Sequence, residues 1–222
     1  MALLRYFEVQ AKFDHLVQAR QFLLRCDAVA GLYERHFAGR VTTKSARKII
    51  VFLKAVRTPD HLKEVGVVLS VEILSDYGQF LQVSDREQQT LALGWLHNGC
   101  LEAATHFGWP PDPFEKARAA VLEKEFVNEW VHRHKAFQRK NKLRAELHCA
   151  HDLHEFRADV VVFQGSLELC RVTAFRTEPD RMIFSWNLGE MNWISDTCVE
   201  LQGVRGAAPN RIELSRYLDV LS

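Results

Sequence analysis

Residues 4–13, LRYFEVQAKF, alternate apolar and polar side chains, the period-two pattern of a strand with one buried face. From Asp14 to Phe37 the interval lengthens. Leu16, Phe22, Leu23, Val29, Leu32 and Tyr33 recur at helical spacings, which predicts a helix with a break near Gly31. Two segments rich in β-branched residues follow, SARKIIVFLKAV (45–56) and LKEVGVVLSVEIL (62–74). The RTPDH between them carries turn chemistry in Pro59 and Asp60, so the pair is expected to form a hairpin.

Ser84 stands three residues before Glu87. At that spacing the serine oxygen accepts from the Glu87 amide and the glutamate accepts in return from the Ser84 amide, a capping box. The helix it starts runs through DREQQTLALGWLHNGCLEAATHF with Leu93, Leu96, Cys100, Ala104 and Phe107 on one stripe. Gly108 before Trp109-Pro110 stops it. Asp112 as cap, Pro113 at the first helical position and Glu115 begin a second helix. It turns Phe114, Ala117, Val121 and Leu122 inward and ends near Lys124.

Beyond Phe126 the pattern is that of strands: FVNEWVHRHKAF (126–137), LRAELHCA (143–150), ADVVVF (158–163) and LELCRVTAF (167–175). The last two are joined by a Gln164-Gly165-Ser166 turn. RMIFSW (181–186), DTCVELQG (196–203) and RIELSRYLDV (211–220) are expected as further strands of an antiparallel meander. The fold class is therefore α+β: antiparallel sheets, from the N-terminal strands and the C-terminal β-meander, packed with a central helical pair. The change of character places an N-terminal α+β region at 1–124 and a C-terminal antiparallel β region at 125–222, unless the two form one continuous domain.

Composition narrows the function. Twenty-nine Lys and Arg balance 28 Asp and Glu, so no global field draws the chain to nucleic acid, and electrostatic recognition must come from local clusters. No apolar run approaches the roughly 20 residues of a membrane helix, and MALLRYFEVQAKF lacks the features of a signal peptide. The five cysteines, Cys26, Cys100, Cys149, Cys170 and Cys198, are odd in number and without Cys-x-x-Cys spacing. Reduced thiols in a cytoplasmic protein are the expectation. A Gly-rich phosphate loop, a Gly-x-Ser-x-Gly elbow and a His-Glu-x-x-His helix are all missing from the sequence.

Three constellations remain. Residues 131–144 carry Arg133, Lys135, Arg139, Lys140, Lys142 and Arg144 with His132 and His134 and no acid among them. Folded as a hairpin turning at 138–141, they form a cationic finger with Trp130 and Phe137 beside it, suited to an acidic protein surface or to phosphates. Left unengaged, the same lysines solubilise a sheet edge. Next come His148, Cys149, His151 and His154. Cys149 belongs to the apolar series of its strand, which leaves three histidines around HDLHEF as metal candidates, with Asp152 and Glu155 as oxygen ligands or acceptors beside them. Third, SWNLGEMNWISD (185–196) offers Trp186, Met191 and Trp193 either as interface anchors or as a plug over the sheet end. Nothing in the sequence places Asp76, which follows a buried strand, beside Glu190 or Asp196 as a carboxylate pair.

A balanced, aromatic-bearing chain without a catalytic signature points to binding rather than catalysis. The expectation is a non-catalytic protein-binding protein, an immunity-type inhibitor of a bacterial toxin, acting without cofactor. Trp130, Arg133, Lys135, Phe137, Arg139, Lys140, Lys142, Arg144, Trp186, Met191 and Trp193 would meet an acidic partner surface. The alternatives are a nucleic-acid-binding protein using hairpin 131–144 and a metal-dependent hydrolase or nuclease using His148, His151 and His154.

Overall fold

The computed structural model describes residues 1–37, 41–204, 206 and 208–218, with the side chain of His134 left out. Its class is α+β, and the chain divides into two compact units, Met1–Asn128 and Glu129–Ser222.

The first unit contains strands β1 (Ala2–Leu3), β2 (Tyr6–Ala11), β3 (Thr42–Thr43), β4 (Lys48–Lys54), β5 (Leu62–Val65) and β6 (Val68–Leu74). Its helices are α1 (Leu16–Phe37), α2 (Asp85–Phe107) and α3 (Asp112–Glu123). The main sheet has the order β2-β4-β6-β5. Segments 45–56 and 62–74 do not make the hairpin that their turn residues predict. β4 pairs in parallel with β2 and with β6, while β5 folds back antiparallel on the outer side of β6. The tight turn lies further on, at Gly66, whose φ of 61° suits the first central position of a two-residue loop. Helix α1 supplies the crossover that a parallel β2–β4 pair requires and passes through Gly31 unbroken.

One sheet face is sealed by Phe7, Val9, Ile49, Val51, Leu53, Leu69 and Val71. Phe7 meets Tyr33 and Phe37 of α1 edge-on, with ring centroids 5.2 and 4.8 Å apart. Helix α2 begins with the expected capping box and ends on Gly108 at φ 66°. It crosses β4 so closely that a Cβ on Gly99 would collide with Val51. Helix α3 begins one residue earlier than expected, with Pro111 as cap and no side-chain capping bond. Phe114, Ala117 and Val121 are buried as predicted, but Phe107 and Leu122 are exposed. Phe107 stacks on Trp109 instead, with centroids 5.0 Å apart.

In the second unit, β7 (Glu129–Gln138), β8 (Leu143–His151), β9 (Phe156–Gln164) and β10 (Leu167–Thr177) form an antiparallel meander in the order β10-β9-β8-β7. The expected turn at Gly165 has φ 61°. After it come helix α4 (Arg181–Ser185), strands β11 (Met191–Trp193), β12 (Cys198–Leu201) and β13 (Asn210–Glu213) in a second antiparallel sheet, and helix α5 (Ser215–Leu218). RMIFSW is thus a helix and not a strand. Asp180 Oδ1 accepts from the amides of Met182 and Ile183, which caps a short turn that buries Phe184 alone. RIELSRYLDV divides into β13 and α5, and its residues 219 and 220 lie outside the described residues. Leu143, Ala145, Leu147 and Cys149 of β8 join Phe156, Ala158, Val160 and Val162 of β9 in the core. Phe184 stacks on Phe156 with centroids 3.9 Å apart. Among the described residues no helix is long and apolar enough to cross a membrane.

Candidate functional site

Strand alternation gives the meander a second face, built from the residues between the core positions. The register sets Phe137, Arg144 and Phe163 in one row, Lys135, Glu146, Val161 and Arg171 in the next, then Val131, His148, Asp159 and Thr173, and finally Glu129, Ala150 and Arg157. The pairing of β7 shifts register between Val131 and Lys135, so the run with His132, Arg133 and His134 bulges there. The side chain of His134 is outside the described residues.

Two carboxylates lie at the floor of this face. Glu146 receives Lys135 Nζ at 2.7 Å, with Arg144 Nε at 3.1 Å and His148 Nε2 at 3.3 Å. Burial pushes the Glu146 carboxyl up, but the hydrogen bonds from Lys135 and His148 and the charges of Lys135 and Arg144 hold it below the usual carboxylate value. Asp159 accepts from the Thr173 hydroxyl at 2.9 Å, with Arg157 Nε at 3.2 Å and Arg171 Nη1 at 4.0 Å. Arg171 also forks Glu168 at 3.1 Å, and Arg144 lies 4.9 Å above the Phe163 ring.

The depth of these charges decides what the face presents. The side chains of Glu146 and Asp159 are 9% and 8% exposed, whereas those of Lys135, Arg144, Arg157 and Arg171 are 44%, 34%, 38% and 44% exposed. The two central acids thus lie beneath more exposed cations, while Glu129 and Glu168 are exposed at the edges of the face.

The expected finger is present but less highly charged than its sequence. The β7–β8 loop occupies 139–142, one residue later than expected, with Lys142 at φ 55°. Lys140 pairs with Asp196, and Lys135 and Arg144 belong to the Glu146 cluster. Arg139 and Lys142 have no ion pair among the described residues, and Phe137 beside them is exposed. Arg133 is exposed at the bulge.

The aromatic anchors separate into two groups. Met191 is buried, and Trp193 packs against the same core and donates from Nε1 to the Ala136 carbonyl at 3.3 Å. Trp130 packs there too, 5.8 Å from Phe156. Met191 is thus a core residue, and Trp130 and Trp193 are partly buried against that core. Trp186 is exposed, as are Ile194 of the same loop and Phe137.

The three histidines do not converge. His148 and His151 are an odd number of positions apart on β8 and so lie on opposite faces. His151 is buried 5.0 Å from Phe184, and its Nε2 lies 3.0 Å from the Pro179 carbonyl. His154 sits in a turn organised by Asp152, whose Oδ1 accepts from the amides of His154 and Glu155. Among the described residues no three or more His, Cys, Asp or Glu side chains are placed to hold a metal ion. Asp76 is a turn residue whose carboxylate accepts from the Gly78 amide at 3.0 Å.

Glu146, Arg157, Asp159, Phe163 and Arg171 were not singled out from the sequence. The signal was the Arg144, Glu146, His148 alternation on β8. Its continuation onto β9 and β10 depends on register, which the sequence leaves open. Comparison of the chain with protein families, with curated proteins and with solved structures returns no match.

Proposed function

We propose that this protein is a non-catalytic protein-binding protein that lays the charged face of its C-terminal meander against an acidic surface of its partner. The observation that carries this is the layering of charge at the centre of the face, with Glu146 and Asp159 nearly buried beneath the more exposed Lys135, Arg144, Arg157 and Arg171 and with Glu129 and Glu168 exposed only at its edges. The acids hold the cations in fixed positions before the partner arrives, so less side-chain freedom is lost on association. The exposed Phe137, with Arg139 and Lys142, extends the same face at the hairpin tip. A role that fits such a surface is occlusion, in the manner of an immunity-type inhibitor covering the acidic cleft of a toxin domain.

Nucleic acid fits less well. A phosphate tract gains affinity by replacing counterions on free cations, and here Lys135, Lys140 and Arg144 already have carboxylate partners. The test is capture from host extract at low ionic strength with the full chain and with Lys135→Ser/Arg171→Ser. One stoichiometric acidic protein is expected on the wild type, with retention roughly ten-fold lower on the variant and falling with salt. Retention of RNA or DNA with a steep salt dependence, or equal retention by both chains, overturns the reading.

A further inference from the structure

Arg157 shares with Arg144 a buried Nε that makes no hydrogen bond, and differs from it in having no aromatic ring against its guanidinium among the described residues. Arg171 spends Nε and Nη2 on the two oxygens of Glu168, and Arg144 lies over Phe163 against Glu146. Arg157 Nε is buried and 3.2 Å from Asp159 Oδ2, but the direction makes no hydrogen bond. Its terminal nitrogens have no hydrogen-bond partner among the described residues. A buried N–H without an acceptor is uncommon enough in folded proteins to require an explanation.

The space beside it supplies one. Arg157 stands opposite Ala150 in the β8–β9 register, and Ala150 stands opposite Glu129 in the β7–β8 register. With only a methyl group at that position the face dips into a depression of about 320 Å³, lined also by Val131, His148, Asp159 and Arg171. The volume is ample for the end of one side chain, and Arg157, Arg171 and His148 bring N–H donors to its wall. Asp159, anchored by the Thr173 hydroxyl, fixes one edge of the guanidinium without taking a hydrogen bond from it.

We infer that this depression is the receptor for a single carboxylate, an aspartate or glutamate side chain of the protein that docks on the charged face. The inference rests on the protein-binding reading above and names the point at which the partner is gripped. A planar carboxylate accepts two parallel N–H bonds from one guanidinium, here from the two terminal nitrogens of Arg157, while Nε stays against Asp159. A phosphate would bring about twice the negative charge close to Glu129 and Asp159, which line the same depression, and is therefore disfavoured.

The test is an NMR titration of the full-length protein, following the Arg157 Nε–H and Ala150 amide signals. The probes are N-acetylglutamate α-amide, its glutamine counterpart and inorganic phosphate. The glutamate probe is expected to shift both signals saturably below about 0.1 M. The glutamine probe and phosphate are expected to bind roughly five-fold more weakly, as is the glutamate probe to Arg157→Lys, which keeps the charge and loses the fork. Ala150→Leu, which fills the dip, should abolish the shift while leaving the remaining amide spectrum dispersed. Absence of a saturable shift at Arg157, a shift that survives Ala150→Leu, or phosphate binding tighter than the glutamate probe overturns the inference. If Ala150→Leu retains the captured partner as well as wild type does, the receptor fails while the docking face stands. A carboxylate site that saturates in a protein capturing no partner leaves the receptor and removes the protein-binding reading.

Discussion

Nε2 of His97 lies 3.4 Å from Oε2 of Glu115, which joins α2 to α3 beneath the Tyr33 hydroxyl. That hydroxyl donates to the Phe114 carbonyl at 3.2 Å and stands 3.5 Å from His97 Nδ1, so three helices meet at one imidazole. Burial is the largest influence on His97 and lowers its pKa, Arg118 adds to the lowering, and Glu115 opposes it. The unfolded chain therefore takes up a proton more readily than the folded one. Stability should fall as the pH drops below the free imidazole value of about 6.5. The urea midpoint of the wild type should decline between about pH 7 and pH 5, with His97→Gln showing a flatter profile. A midpoint that rises over that window would mean that Glu115 outweighs burial.

Glu146 has the opposite linkage. Its folded pKa is depressed, so its contribution is present above the unfolded carboxyl value and is lost as pH falls through the folded value. Glu146→Gln should cost about 1 kcal/mol at pH 7, because Lys135 and Arg144 are exposed enough to be resolvated. Equilibrium unfolding at neutral and acid pH checks this, and the wild type and variant should converge at low pH.

Lys142 holds a left-handed conformation, φ 55°, at the hairpin tip. An L side chain there is strained and glycine is not, so Lys142→Gly should raise stability by about 0.5–1 kcal/mol despite its entropic cost. Differential scanning calorimetry reads the shift. A lower melting temperature would show that the lysine side chain contributes more than its backbone costs.

Gly99 sits where α2 presses on Val51 of β4. Gly99→Ala gains helix propensity of about 1 kcal/mol in the abstract but should still destabilise, since the added methyl forces a buried β-branched side chain aside. Gly94, on the same helix with nothing near its missing Cβ, is the control. Gly94→Ala should stabilise, and the two variants should move the unfolding midpoint in opposite directions.

Sequence alone determined those features in which the signal and its consequence lie within a few residues. The capping box at Ser84, the stop at Gly108, the Gly165 turn and the alternation that puts Cys149 in the core all follow from local backbone chemistry. The α+β class follows as well, because period-two and helical stretches are separated along the chain. The parallel pairing of β4 with β6 was decided only in three dimensions. Pro59 and Asp60 mark a loop but say nothing about which edge of β6 the intervening β5 will cover. The charged face was decided in the same way. The cations of 131–144 look unopposed when read along the chain, and Glu146 and Asp196 become partners of Lys135, Arg144 and Lys140 only once the chain has folded. Charge acts through space, at distances that a linear sequence does not record.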